Sequence, residues 1–266
     1  VTQASITIAG TEALRGPRPP WTSRHDLAKL PYRFEDRIAW KSLHARQMRM
    51  LERWGCSDYM KGMWVLGIHS EEFPDVTQLS ARLQAATSWE LVAQHEPLDP
   101  LKYFSYLARR KFPVRSTVAG GGLAPGSRST GTDLFHHLFG HVPMLAQPVF
   151  ADYLQMLGQA ACAAGVAALP LYLQHYERTA DRGLIRTPRG LHMYGASLVC
   201  DATGELAGQA SGFFTHDGGR IGLEACCTID SFEQLITTLP RTAPAVVDAP
   251  MAAPAAGRRR LRRSLR

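Results

Sequence analysis

Three of the ten histidines in this chain fall within six residues, at His136, His137 and His141, among the apolar Leu134, Phe135, Leu138 and Phe139 and just before Pro143. Imidazole is the commonest protein ligand for zinc, copper and non-haem iron, so the cluster raises a metal site. The competing reading is a helix end whose histidines meet the C-terminal dipole and water. Asp133 can cap a helix over this stretch. On an ideal helix His137 and His141, four apart, share a face and could chelate one ion. His136 and His141, five apart, lie roughly 140° apart around the axis. Gly140 can change that, because glycine permits the left-handed turn that ends helices and re-aims the next side chain. Spacing therefore favours His137 with His141 and leaves the pair open.

A chain of 266 residues, 45% of them hydrophobic, fits one large domain or two small ones with a sizeable core. The formal net charge of +7 sits at one end: Arg258, Arg259, Arg260, Arg262, Arg263 and Arg266 supply six of those charges, which leaves about +1 for the rest. A broad face for nucleic acid is not indicated, so no specific nucleic acid is expected. The five cysteines, Cys56, Cys162, Cys200, Cys226 and Cys227, contain no C-x-x-C pair and read as reduced thiols. There is no signal-peptide pattern and no apolar run of about 18 residues. A soluble, cytoplasmic protein that uses no membrane is expected.

Apolar periodicity predicts helices over 35–54, 58–66, 76–87 and 101–110, the second stopped by Gly67 and the last opened by Pro100. Ile38, Trp40, Leu43, Met50 and Leu51 fall near the helical period and read as its inner face, with a basic outer face opposite. Residues 89–92 read as a short strand and 112–118 as extended. The run 120–131 is a Gly/Ser/Pro loop, long enough inside a compact domain to carry function. Helices follow over 150–168 and from 171 to about 182, separated by Pro170 and stopped by Gly183. Leu191 to Val199 opens a region of short strands and glycines, and a last helix runs from Ser231 to Leu239. Residues 1–30 read as an extended arm, 31–240 as one catalytic domain, and 241–266 as a disordered Ala/Pro/Arg-rich tail. The fold class is mainly α with a small β element.

The segment LFHHLFGHVPML at 134–145 resembles the iron-binding segment of the pterin-dependent aromatic amino acid hydroxylases, the short bacterial phenylalanine hydroxylases in particular. LERWGC at 51–56, SWELV at 88–92, RRKFPV at 109–114, PVFADYLQMLG at 148–158, MYGASLV at 193–199 and IDSFEQL at 229–235 extend the resemblance over about residues 30–240. It implies that family's fold, a helical catalytic basket with minor strands. It also implies that His136 and His141 are metal ligands, with His137 standing where the family carries an acid that hydrogen-bonds the pterin network. The family's third ligand is a glutamate forty residues past the second histidine and ahead of x-Gly-Leu. Here that position is Asp181, one methylene shorter, with Glu177 one turn earlier as the competing carboxylate. Two imidazoles and one carboxylate on one face are the donor set of non-haem iron(II) oxygenases.

The resemblance further implies that Tyr103 supplies the ring that stacks on the pterin, with Leu98 beside it, and that Tyr176 matches a tyrosine near the iron. On the substrate side the chain departs. The arginine that holds the amino acid carboxylate aligns with Ala119, the pocket tryptophan with Glu177, and the phenylalanine after the third ligand with Arg182. A substitute carboxylate clamp would come from Arg182 or Arg115. What this implies is an iron(II), tetrahydropterin and O2-dependent monooxygenase acting on an aromatic amino acid or a modified derivative. Two other readings stay open: an oxygenase of the same fold with another reductant or a carrier-bound substrate, and a catalytically inactive binding protein. A monomer or weak dimer is expected, because the regulatory domain and tetramerising helix of longer family members do not fit in this length.

Overall fold

The computed structural model describes residues 34–68, 72–94, 98–115, 133–206, 213–215 and 220–241. The expected arm, the glycine-rich loop with Ala119, and all but the first residue of the expected tail lie outside them. The described chain is mainly helical, with three small sheets.

Helix α1 (Phe34–Trp54) buries Trp40, Met50 and Leu51, while Ile38 faces outward. Helix α2 (Ser57–Leu66) starts where the Cys56 sulfur accepts the Tyr59 N–H, and it ends at Gly67, whose φ of 74° closes the turn. Helix α3 (Val76–Thr87) is capped by Asp75, which accepts the Thr77 and Gln78 N–H groups. Strand β1 (Glu90–Gln94) then pairs in parallel with β2 (Lys111–Arg115). A parallel pair needs a crossover, and α4 (Pro100–Leu107) supplies it, with Asp99 at its cap and Pro100 in its first turn. The helix ends three residues before the expected Arg110, which itself takes a left-handed φ of 55°.

After the histidine segment come α5 (Val142–Leu145) and α6 (Pro148–Ala164). Gly158 lets α6 lie against the end of α4, since a Cβ there would stand 2.5 Å from the Ala108 nitrogen. The predicted 150–168 helix is interrupted: Gly165 turns the chain at φ 79°, a single 3₁₀ turn follows, and α7 (Leu169–Tyr176) starts with Pro170 in its first turn. Strands β3 (Gly183–Thr187) and β4 (Gly190–Met193) form an antiparallel pair, and β8 (Cys227–Ile229) adds to β3 in parallel. Strands β5 (Ala202–Leu206), β6 (Phe213–Thr215) and β7 (Arg220–Ile221) make a separate antiparallel sheet. Helix α9 (Glu233–Thr237) is shorter than expected.

One sequence expectation fails outright here. Leu191–Val199 is not one strand; β4 stops at Met193, and Ala196–Asp201 is a helix, α8. Its Ala196, Leu198, Val199 and Cys200 are all fully buried, and an apolar run this short carries no period that separates a buried helix from a strand. This helix packs directly behind the histidines.

Candidate metal centre

Asp133 opens the histidine segment as predicted, its Oδ1 accepting the His136 N–H at 2.8 Å. The next turn departs from the α-helix. Residues His136–His141 form a π-helix, closed by the Val142 N–H on the His137 carbonyl. In that i→i+5 register, residues five apart stand above one another on one face. Gly140 does not take the left-handed conformation expected of it; among the described residues the glycines with positive φ are Gly67, Gly165 and Gly190. Its role is close approach, because a Cβ there would stand 2.9 Å from Ala196 Cβ and Cys200 Sγ of α8. On the other side the Tyr59 hydroxyl donates to the Phe139 carbonyl. Phe135 and Phe139 stack at 4.6 Å, and the Trp40 indole meets Phe135 edge-on at 5.1 Å.

This register decides which histidines meet. The His136 and His141 Nε2 atoms are 3.1 Å apart, with ring centroids at 4.8 Å against 6.4 Å for His137 and His141. The pairing favoured by α-helical spacing is therefore overturned. His137 instead turns its Nδ1 to accept the Arg115 N–H at 3.0 Å, fastening β2 to the segment. Phe112 of β2 packs against both His137 and His141.

The carboxylate arrives on a second π-turn. Helix α7 passes at Tyr176 into Glu177–Asp181, again in π geometry. Asp181 Oδ1 lies 3.0 Å from His141 Nε2 and 3.5 Å from His136 Nε2. Glu177 points away, more than half exposed, with a carboxylate oxygen 3.9 Å from Arg182. Behind Asp181, Gly183 and Gly195 bring two backbones together: a Cβ at Gly195 would meet Gly183 N at 2.2 Å and Asp181 O at 2.6 Å.

The donor set fits a divalent cation. Burial, opposed by the Asp181 carboxylate, lowers the His141 pKa, so the imidazole is neutral at pH 7. Burial pulls the Asp181 carboxyl upward, but the His136 and His141 imidazoles outweigh it and hold the group below the usual carboxylate range. Metal bonds of about 2.1 Å place ligands at right angles about 3.0 Å apart, close to the three separations found. Asp181 Oδ1 is shielded from water and finds no hydrogen-bond partner among the described residues. An orphaned buried oxygen is costly, and a cation between the three groups removes that cost. No other group of three such ligands comes together among the described residues.

The remaining predicted residues sit around this centre in different ways. The Tyr176 hydroxyl is 3.3 Å from His141 Nε2, and 2.7 Å from the Tyr103 hydroxyl, the two rings meeting at right angles. Leu98 is half-buried just ahead of the cap of α4, the helix that carries Tyr103. Arg115 ends β2 beside His137, and its charge helps to lower the His137 pKa, after burial and the two neighbouring imidazoles. Sequence reasoning missed Phe112, Tyr59, Thr179 and Gly195, and gave Gly140 and Gly183 other roles than the close approaches found. Phe112 and Gly195 lie within segments of the resemblance, but only the fold shows what they touch.

A profile described as "Biopterin-dependent aromatic amino acid hydroxylase" matches residues 20–215 of the 266. The chain belongs to this hydroxylase family. Phenylalanine-4-hydroxylase of Ralstonia nicotianae is 33% identical over 231 residues, 82% of this chain and 72% of that protein. The Chromobacterium violaceum enzyme of the same name is 37% identical over 169 residues, 63% of this chain, a match that spans only 56% of that protein's length. A crystal structure of the Chromobacterium hydroxylase holding iron(III) and the oxidised cofactor 7,8-dihydrobiopterin superposes with a TM-score of 0.69 at 32% identity, covering 82% of this chain and 83% of that one. The matched range 20–215 includes the histidine segment and Asp181. No described helix is long and apolar enough to cross a membrane.

Proposed function

We propose that this chain is an iron(II)- and tetrahydropterin-dependent monooxygenase that hydroxylates an aromatic amino acid or a modified derivative of one. The observation that carries the reading is the convergence of His136, His141 and Asp181 on one face. These three residues would hold the iron. Iron and pterin together would supply the activation of dioxygen, chemistry that no side chain provides. The chain's own part is to bind, orient and exclude water. His136 and His141 are buried, which keeps bulk water off both imidazoles. Tyr176 holds its hydroxyl beside His141 and hands its other hydrogen bond to Tyr103. The Tyr103 ring, with Leu98 near its helix start, would stack the pterin. His137 faces that side as a neutral ring whose Nδ1 is already committed to Arg115, leaving an Nε2 donor where an acid would be an acceptor.

The substrate reading rests on the changed positions. Glu177 and Arg182 face each other at the exposed flank of the second π-turn, so Arg182 is already paired with a carboxylate of the chain. Arg115, next to His137, is the better placed clamp. Ala119 cannot donate to a carboxylate. Losing one partner of a buried ion pair costs about 3–5 kcal/mol, so free phenylalanine should be a poor substrate and an amine-bearing aromatic compound a better one. The protein is read as cytoplasmic and as a monomer or weak dimer. The test is anaerobic reconstitution with iron, followed by a substrate panel with tetrahydropterin and oxygen scored by product mass. Iron binding without any pterin-dependent oxygen uptake would favour another reductant; no iron binding would favour an inactive fold. Efficient phenylalanine turnover that survives Arg115→Ala and Arg182→Ala would sink the rebuilt pocket.

A further inference from the structure

We infer that Thr179, fed by Tyr153, is the positioning residue that opens the second π-turn and carries Asp181 onto the histidine pair. The inference rests on the metal-centre reading proposed above. Thr179 is buried in the middle of Glu177–Asp181. Its Oγ1 lies 2.6 Å from the His175 carbonyl, 3.4 Å from the Tyr176 carbonyl and 2.6 Å from the Tyr153 hydroxyl. A threonine hydroxyl has one proton, and carbonyls only accept. Thr179 therefore donates to His175, and Tyr153, from the buried face of α6, donates to Thr179. A chain of hydrogen bonds thus runs from the scaffold helix to the carbonyl four residues behind Thr179.

That carbonyl is the acceptor an α-helix assigns to the N–H of Thr179 itself. A hydroxyl competing for it loosens and bends the helix. Here α7 gives way to the wider register at that point, with no glycine or proline between Tyr176 and Asp181 to account for it. The consequence reaches the centre directly. Tyr176 and Asp181 are five apart, roughly 140° around an α-helix, yet both approach His141 Nε2, at 3.3 and 3.0 Å. Only the π register puts them on one face. In α register, a carboxylate as short as aspartate's would be swung away from the histidines.

The experiment compares Thr179→Val, Thr179→Ser and Tyr153→Phe with the parent full chain, by anaerobic titration with iron(II) and cobalt(II) and by far-UV circular dichroism. Changes behind a metal ligand cost about 10–100-fold in affinity, and that loss is expected for Thr179→Val and Tyr153→Phe, while Thr179→Ser stays near the parent. Adding Asp181→Glu to Thr179→Val should recover part of the loss, because the longer carboxylate restores reach. A folded Thr179→Val that binds metal as the parent does overturns the inference, as does a metal-free crystal structure of it with the five-residue turn intact. If Thr179→Val does not fold, Tyr153→Phe carries the same two tests. If the parent takes up no metal, the metal reading fails, and the metal-free structure alone decides the role of Thr179.

Discussion

Gly62 offers the sharpest test of how the scaffold fixes the histidines. It lies in α2, and a Cβ built there would stand 2.0 Å from the Pro143 carbonyl oxygen and 2.7 Å from its carbon. Carbon–oxygen contacts close at about 3.3 Å, so Gly62→Ala forces a retreat of about 1.3 Å between two backbones. Neither can turn away as a flexible side chain would. Overpacking of this kind costs about 1–3 kcal/mol, and with backbone on both sides the upper end applies. For a domain of about 150–250 residues that corresponds to a fall in Tm of about 6–12 °C. Pro143 is two residues past His141, so the displacement is passed into the first π-turn. There the separations are 3.0–3.5 Å, and a shift of about 1 Å removes one ligand from reach. Scanning calorimetry and iron(II) titration of the variant should show lower stability and weaker binding together. Wild-type Tm and wild-type affinity in Gly62→Ala would refute the close approach and the claim that it sets the histidine geometry.

The other expectations are separable. His136→Ala should abolish stoichiometric iron binding in equilibrium dialysis and His137→Ala should keep most of it; the reverse result would restore the α-helical pairing. In the parent, iron at about one hundred times its Kd should stabilise the fold by about 2.7 kcal/mol, a thermal shift that chelation reverses and that His136→Ala lacks. Arg110 donates to the Thr87 carbonyl, Gln155 and Asp152 from a left-handed backbone that costs a side chain about 1–2 kcal/mol, so in urea melts Arg110→Gly should lose less stability than Arg110→Ala. Truncation after Arg241 should leave substrate turnover unchanged, since blocks of like charge are solvated and not part of a packed site; lost turnover in a folded truncation would refute this.

What the sequence disclosed depended on which physical rule was in force at each residue. The helix start at Pro100 and the stop at Gly67 follow from local chemistry, which needs no tertiary context, and they stand as expected. The core role of Trp40 and Met50 follows from periodicity and also stands. Periodicity failed where the period changed. Angular arithmetic at 3.6 residues per turn set His136 and His141 apart and gave Gly140 a helix-breaking role, because nothing in six residues announces a π register. Motif resemblance supplied the pair instead, since it carries the outcome of the register without its cause. For the carboxylate, resemblance preferred Asp181 to Glu177, and the fold turns Glu177 outward. Helix α8 was missed for another reason: Ala196, Leu198, Val199 and Cys200 are all buried, and a run this short carries no period that separates a buried helix from a strand.

The failures of spacing share a cause. Each of the two segments begins in α-helical geometry and departs from it within one turn of the centre. In both, a pair five residues apart, His136 with His141 and Tyr176 with Asp181, is brought onto one face, and the shared member of the two pairs' contacts is His141. A wide turn is intrinsically less favourable than an α-turn, so it persists only where the surroundings over-determine it. Here the surroundings are visible: Gly140 against Ala196 and Cys200, Tyr59 on the Phe139 carbonyl, Thr179 on the His175 carbonyl, and Gly195 against Gly183. On the proposed reading, the π register that sets Asp181 on the same face as Tyr176 is what brings this short carboxylate to 3.0 Å from His141 Nε2.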